Sequence, residues 1–172
     1  MIGKASSARD SEEKARQKAW RLLSIRPHSE RELWKKLRDR GFSSEVLVGV
    51  FKELKECRYL DDKVYACQQA RYLAIDRLLG NSRIEYFLRE KGLDTALITE
   101  AIKQARQEFS ETEALRRLIE RKLKSTKLID LDDRNAQKII RSLWGKGFST
   151  GLIFEIFRSI KEEECRNDQG RK

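Results

Sequence analysis

A short pattern built around a glycine occurs three times in this chain, and it constrains the fold more than any other feature. The glycines are Gly41, Gly92 and Gly147, roughly fifty residues apart. In each copy, apolar residues lie eight and four positions before the glycine, one position after it, and at five, six, nine, ten and thirteen positions after it. Recurrence at a fixed period is typical of a repeat protein.

The apolar spacing on both sides of each glycine predicts two amphipathic helices joined by a tight corner. The glycine is expected to take the left-handed conformation that ends the first helix, which costs a residue with a Cβ about 1–2 kcal/mol. Polar side chains follow each glycine and predict the N-cap of the next helix. The candidates are Ser43 or Ser44, Asp94, and Ser149 or Thr150.

A third helix is expected before each pair. Ala15, Ala19 and Leu22 precede Gly41, and two alanines and a leucine precede Gly92 at the same three distances. One proline and nine glycines leave little scope for an all-β fold. We therefore predict an all-α fold, an elongated array of three tandem three-helix repeats. Its expected divisions are a disordered leader at 1–11, repeats at 12–60, 61–108 and 109–164, and a frayed tail at 165–172.

Several helix starts can also be predicted from single residues. A serine followed three residues later by glutamate forms a capping box, and three such pairs are Ser29 with Glu32, Ser82 with Glu85, and Ser110 with Glu113. Asp61 or Asp62 is expected to cap the first helix of the second repeat, where a carboxylate is stabilised. The two aspartates could instead bind a metal or act as a base, but no supporting residue lies at a suitable spacing.

The sequence does not favour an enzyme. No phosphate-binding loop, catalytic serine elbow, zinc-protease motif or paired-cysteine motif occurs in it. His28, the single histidine, is expected to be a solvated turn residue. Cys57, Cys67 and Cys165 are odd in number and unpaired, and no apolar run reaches the length of a membrane span. We therefore expect a cytoplasmic protein with reduced thiols, no cofactor and no metal.

The charge of the chain indicates a polyanionic partner. Thirty-eight Lys and Arg residues against 28 Asp and Glu residues give a formal net charge of +10, which predicts attraction to DNA, RNA or an acidic protein surface. Basic residues recur on equivalent helices, although a solvated helix face is the alternative for any one of them. The expected partner- or DNA-binding residues are Arg31, Lys35, Lys36, Arg38, Arg40, Arg83, Arg89, Lys91, Arg116, Arg117, Arg121, Lys122, Arg141 and Lys146.

A helix–turn–helix that reads DNA sequence is disfavoured. Such a domain would place base-reading side chains on the helix after the corner. Acidic and basic residues alternate there instead, as Glu45, Lys52 and Glu53 show in the first copy. Attraction to the phosphate backbone stays open, because it needs no base-reading side chain.

Three stretches carry a family resemblance: HSERELWKKLRDRGF from His28, YLDDKVYA from Tyr59, and the KGL and KGF corners at Lys91 and Lys146. Together they resemble the RecX family of bacterial regulatory proteins, over nearly the whole expected helical region. Arg58 stands where that family usually has a glycine.

The resemblance implies a non-enzymatic protein that binds the RecA–DNA filament along its helical groove and restrains its recombinase and ATPase activities. Such a protein would act in recombination, DNA repair and the SOS response, and we expect it to be a monomer. A general DNA- or RNA-binding protein with no recombinase partner is the alternative that the charge alone would allow.

Overall fold

The computed structural model describes residues 2–123 and 126–169, with the side chains of 10–123 and 126–167. Within these ranges all regular structure is helical, which confirms the all-α class. The helices are α1 (Ile2–Ile25), α2 (Glu30–Arg38), α3 (Ser44–Glu56), α4 (Asp62–Ile75), α5 (Asn81–Glu90), α6 (Thr95–Glu108), α7 (Glu111–Leu123), α8 (Asp133–Gly145) and α9 (Thr150–Gln169), with a short 3-10 helix at Leu128–Asp130.

The three glycine corners form as expected. Gly41, Gly92 and Gly147 have φ values of 89°, 83° and 90°, and they follow α2, α5 and α8. Each corner leads into a helix capped by a side chain that accepts a hydrogen bond from the backbone N–H three residues later. The caps are Ser43, Asp94 and Ser149.

The contacts within the chain define two compact units. The first comprises the residues up to Gln68 together with Leu88–Ile98. Its core lies among α1, α2 and α3, where the ring centroids of Trp34 and Phe51 lie 4.9 Å apart in an edge-to-face arrangement. Its most deeply buried side chains include Leu33, Leu37 and Leu47. Each such leucine stabilises the folded chain by roughly 1.5–3 kcal/mol.

The second unit comprises Gln69–Phe87 and the residues from Thr99 onward. Its core is built mainly by α7, α8 and α9, and the 3-10 helix adds Leu128, which is fully buried. Other large side chains that are fully buried there include Leu115, Ile119, Leu143 and Phe148. The apolar residues around Gly147 in the sequence pattern therefore form a packed core.

Both ends of the chain are more helical than expected. The structure begins α1 at Ile2, so the prediction of a disordered leader through residue 11 is wrong for the described residues. Helix α9 continues to Gln169, although a frayed tail was expected from 165. Residues 170–172 of that tail lie outside the described ranges. Once a helix is nucleated, each added residue gains a backbone hydrogen bond, so α1 and α9 extend past their last core positions.

Two helix N-termini are completed by a carboxylate from the next copy of the pattern. The N–H of Glu30, the first residue of α2, donates to Asp62 Oδ1 at 2.8 Å. The N–H of Asn81, the first residue of α5, donates to Glu111 Oε1 at 2.7 Å. Asp62 and Glu111 are themselves the first residues of α4 and α7. One helix start thus stabilises another that is distant in sequence.

One expected N-cap is wrong, and another is now assigned to a single residue. The capping box of Ser82 with Glu85 is not the start of α5, because the helix already begins at Asn81 and Ser82 lies inside it. At the start of α4, Asp61 is the cap, since its Oδ1 accepts from the N–H groups of Lys63 and Val64 at 2.8 and 3.0 Å.

The residue before each later corner also contacts an earlier helix start. Ser29 Oγ donates to the Lys91 carbonyl at 2.7 Å, and the Gly80 N–H donates to the Lys146 carbonyl at 2.9 Å. A Cβ on Gly80 would lie 2.3 Å from the carbonyl carbon and oxygen of Gly147. Only glycine therefore allows the two backbones to approach this closely.

Candidate functional site

Four of the expected basic residues line one pocket in the first unit, which we call the α2 pocket. It has a volume of about 490 Å³, and its walls are Arg31, Glu32, Lys35, Lys36, Asp39, Glu90 and Lys91. Acidic and basic side chains alternate around it. The α2 pocket is therefore a mixed charged site rather than a purely basic one.

Glu32 forms ion pairs with two of these lysines. Lys91 Nζ lies 3.0 Å and Lys36 Nζ 3.8 Å from Glu32 Oε1, and Arg26 Nη2 lies 2.6 Å from the same atom. Burial raises the pKa of the Glu32 carboxyl, but hydrogen bonds from Arg26 and Lys91 outweigh burial and lower that pKa to about 2. Lys36 and Lys91 thus stabilise the fold, and Arg31 and Lys35 remain the exposed cations of the pocket.

His28 belongs to the same network, and the prediction of a solvated turn residue is wrong. Its side chain is buried, with Nδ1 2.9 Å from the Arg26 carbonyl and Nε2 2.8 Å from Lys36 Nζ. A lysine ammonium only donates, so Nε2 accepts and Nδ1–H donates to the carbonyl. Burial lowers the pKa of this imidazole. His28 therefore serves as a neutral structural bridge.

A second group of basic residues surrounds the Gly147 corner in the second unit. Lys146 Nζ lies 3.5 Å from the Arg77 carbonyl. Burial lowers the pKa of Lys146, and the positive charges of Arg77 and Lys122 lower it further. Arg83 borders the same corner, since a Cβ on Gly147 would lie 2.5 Å from the Arg83 backbone nitrogen. We call the three neighbouring cations Arg77, Lys122 and Lys146 the corner cluster.

The corner cluster unites two expected residues, Lys122 and Lys146, with one that sequence reasoning missed. Arg77 lies just beyond the end of α4, outside both the equivalent helices and the basic run from Arg116 on which the prediction was based. Neighbouring cations repel one another. Binding of a phosphate or carboxylate is therefore favourable, because the anion relieves that repulsion. The cluster is the strongest candidate anion-binding site among the described residues.

Arg116 and Arg117 are engaged within the protein. Arg116 makes two hydrogen bonds to Glu163, at 2.8 and 3.0 Å, and one to Ser159 at 3.2 Å, so it joins α7 to α9. Arg117 donates to Glu113 at 3.1 Å and lies 4.7 Å from the ring centroid of Phe109. Both residues therefore have structural partners that a ligand would have to displace.

The remaining expected residues are exposed. Arg38 donates to the Phe42 carbonyl at 2.9 Å, and Arg40 to the Lys36 carbonyl at 2.6 Å, so both guanidinium groups lie close to the end of α2. The others lie on the outer faces of α5, α7 and α8: Arg89, Arg121 and Arg141. A continuous basic surface along the array stays a prediction.

Two negative findings apply to residues 2–123 and 126–169. No group of three or more His, Cys, Asp or Glu side chains there is placed to hold a metal ion. No helix in those ranges combines the length and the apolar character needed to cross a membrane.

The fold and charge define the class: an all-helical repeat protein with a basic character. Family models of the first and third three-helix domains of RecX match residues 15–51 and 110–157. The regulatory protein RecX of Chlorobaculum tepidum is 33% identical over 168 residues, covering 97% of each chain. That of Streptomyces coelicolor is 32% identical over 161 residues, covering 94% of this chain and 85% of the relative. The chain belongs to the RecX family of regulatory proteins.

Solved structures agree with this family. A crystal structure of a regulatory protein RecX superposes with a TM-score of 0.74 at 26% identity, covering 90% of this chain and 75% of that one. RecX from Lactobacillus salivarius shares the fold, with a TM-score of 0.75 at 24% identity, covering 88% and 97% of the two chains. The helical repeat architecture is therefore that of the family.

Proposed function

We propose that this protein binds the RecA filament assembled on DNA and inhibits its recombinase and ATPase activities. It would thereby modulate recombination, DNA repair and the SOS response. The observation that carries the proposal is similarity to regulatory RecX proteins along almost the entire chain, including 97% coverage in both directions with the Chlorobaculum relative. In this proposal the protein acts by binding, as a monomer, and catalyses no reaction itself.

The corner cluster supports a direct contribution from DNA. Arg77, Lys122 and Lys146 concentrate positive charge at one place, and a DNA phosphate is the abundant anion of a RecA–DNA filament. Arg31 and Lys35, the exposed cations of the α2 pocket, are the corresponding candidates in the first unit. Arg116 contributes less in this proposal, because Glu163 already satisfies its guanidinium group.

The direct test is ATP hydrolysis by the RecA of the same host on single-stranded DNA. We expect substoichiometric amounts of the protein to slow hydrolysis, since one molecule bound along a filament affects many RecA subunits. Unchanged hydrolysis at equimolar protein, together with no co-sedimentation with filaments, would refute the proposal.

A salt titration separates filament recognition from charge alone. Binding to bare single-stranded DNA should fall linearly in log K against log salt. Binding to the filament should persist at salt concentrations that release bare DNA, because shape and desolvated side chains are not screened. Coincident titration curves would favour the alternative, a general DNA- or RNA-binding protein with no recombinase partner.

Two matched substitutions locate the contact. Lys122 and Lys103 are exposed lysines on neighbouring helices, α7 and α6, and only Lys122 belongs to the corner cluster. We expect Lys122→Glu to weaken filament binding by about tenfold, as expected for a charge that contacts phosphate, and Lys103→Glu to weaken it by about twofold at most. Equal effects would remove the corner cluster from the proposed interface.

A further inference from the structure

An exposed aromatic ring lies on the same helix as one of the arginines at the Gly147 corner. Tyr86 on α5 is 55% exposed, although most of its side chain is an apolar ring. The guanidinium carbon of Arg83, one helical turn earlier, lies 5.4 Å from the centroid of the Tyr86 ring. Residues three apart on a helix share one face. Arg83 and Tyr86 therefore form one continuous charged and aromatic surface.

Arg83 connects this ring to the Gly147 corner. A Cβ on Gly147 would lie 2.5 Å from both the Arg83 Cβ and the Arg83 backbone nitrogen. The residue before Gly147 is Lys146, a member of the corner cluster. Arg83 thus packs on the corner at its backbone end and contacts Tyr86 at its charged end. The ring of Tyr86 is therefore about one arginine side chain away from the corner.

The cations around the corner are not neutralised by the protein. Arg83 and the three members of the corner cluster form no ion pair with any residue in the described ranges. The charges that act on Lys146 are those of Arg77 and Lys122, and no carboxylate is among them. Arg116, by contrast, is paired with Glu163. A group of cations without a counter-charge attracts an anion from outside the chain.

The first unit shows that an exposed ring is not needed for an arginine to pack on a glycine corner. A Cβ on Gly92 would lie 2.1 Å from Arg31 Cδ, so Arg31 packs on that corner. The aromatic residue three positions after Arg31 is Trp34, whose ring packs edge-to-face on Phe51 in the core. The exposure of Tyr86 is therefore not explained by the packing of the corner.

We propose that the ring of Tyr86 stacks on a base of single-stranded DNA whose neighbouring phosphates lie on Arg83 and the corner cluster. Every base has a flat π-face, and aromatic side chains beside a basic groove are a common means of binding single strands. A duplex would gain little from Tyr86, because its bases already stack on one another. An acidic protein surface would satisfy the cations, but its carboxylates offer no flat ring for stacking.

This inference deepens the proposed function and rests on the contact between the corner cluster and DNA. It adds that the strand is single and that one base is contacted by Tyr86. The test measures DNA binding with no RecA present. Loss of stacking is therefore distinguishable from a failure to inhibit ATP hydrolysis by RecA.

The first arm of the test compares two fluorescein-labelled oligomers of about twenty units. One is oligothymidine, and the other is an abasic oligomer that keeps the sugar–phosphate backbone. Fluorescence anisotropy during titration with the full wild-type chain measures both affinities. We expect oligothymidine to bind about tenfold more tightly, because one stacked base contributes a factor of that order. This arm needs no substitution, so it does not depend on the folding of a variant.

The second arm substitutes the ring. Tyr86→Leu should bind both oligomers as the wild type binds the abasic one, whereas Tyr86→Phe should keep the tenfold preference for oligothymidine. The matched control is Tyr72→Leu, the same change at a tyrosine that is 44% exposed on α4 of the same unit, and it should alter both affinities by about twofold at most. Lys122→Glu should weaken binding of both oligomers equally, because it removes a phosphate contact. Circular dichroism checks that each variant keeps its helicity.

Four results would overturn the proposal. Equal binding of the two oligomers by the wild type would show that no base is contacted. Equal loss of both oligomers in Tyr86→Leu would make Tyr86 a support for Arg83 only. Tighter binding of oligouridine RNA through Tyr86 would assign the surface to RNA. Displacement of oligothymidine by a polyglutamate peptide whose own binding requires Tyr86 would assign it to an acidic protein.

Discussion

Replacing Gly80 by alanine tests whether the close backbone approach at the Gly147 corner holds the second unit together. The added Cβ would lie 2.3 Å from the carbonyl carbon and oxygen of Gly147 and 2.5 Å from the Phe148 nitrogen. Ordinary contacts of a Cβ begin at 3.4 Å, so the two backbones must separate by about 1 Å. All three atoms belong to the backbone, so no flexible side chain can move away.

The expected cost has two parts. Overpacking against rigid backbone costs about 1–3 kcal/mol. Separation also weakens the hydrogen bond from the Gly80 N–H to the Lys146 carbonyl, a loss of about 1 kcal/mol. The free energy of unfolding should therefore fall by about 2–4 kcal/mol, which lowers the Tm by about 5–15 °C for a chain of this size.

The matched control is Gly151→Ala, the same chemical change in α9 of the same unit. A Cβ on Gly151 meets nothing within 4 Å, and alanine is the better helix former. We expect this variant to be unchanged or stabilised by up to about 1 kcal/mol. Urea denaturation followed by circular dichroism at 222 nm measures both variants. If Gly80→Ala unfolds at the same urea concentration as Gly151→Ala, close approach does not explain the glycine.

Three further predictions rest on other regions. Glu32→Gln should make the free energy of unfolding less dependent on pH in the acidic range. The wild-type carboxyl has a lowered pKa, so its contribution of up to about 3 kcal/mol is present above pH 4.5 and is lost as pH falls toward 2. Thermal melts of both proteins at pH 7 and pH 3 measure the difference. Arg58→Gly should raise the stability by about 0.5–1 kcal/mol in urea titrations, because Arg58 has a φ of 58°, and no change would show that its backbone carries no strain. A triple Cys→Ser variant should keep wild-type helicity and filament binding, since the three thiols are free in the structure; stoichiometric zinc in the wild type would contradict this.

The features that could be predicted from the sequence are those encoded locally. The glycine corners follow from the periodicity of apolar residues, and the Ser110 cap follows from a serine three residues before a glutamate, with the Glu113 N–H donating to Ser110 Oγ at 3.1 Å. Helical periodicity repeats every 3.6 residues, so a dozen residues contain enough information to define it. The all-α class was therefore accessible before any contact was known.

The features that could not be predicted depend on how the chain packs rather than on a local pattern. His28 looked like a turn residue because, although Arg26 and Lys36 are only two and eight residues away, the sequence does not show that they contact both ring nitrogens. The Ser82 box looked sound because Glu111, the true partner of the α5 start, lies thirty residues later. Arg77 was missed because the prediction used the helices equivalent to α2 and the basic run that begins at Arg116, and Arg77 belongs to neither. Charge counts identify a class of ligand, but only packing shows which cations are already paired.

The N-terminus of α2 is completed by Asp62, a residue that is synthesised later than the helix itself. Ribosomes release the chain from its N-terminus, so α2 leaves the ribosome thirty-two residues before the group that completes its first turn. A similar delay, of thirty residues, separates Asn81 from Glu111 one copy later. Each new segment thus stabilises the helix behind it, and nascent chains that end at Leu60 and at Val64 should differ in the protection of the Glu30 amide from hydrogen exchange. Exchange of this one amide proton therefore reports whether the start of α4 has been synthesised and has reached α2.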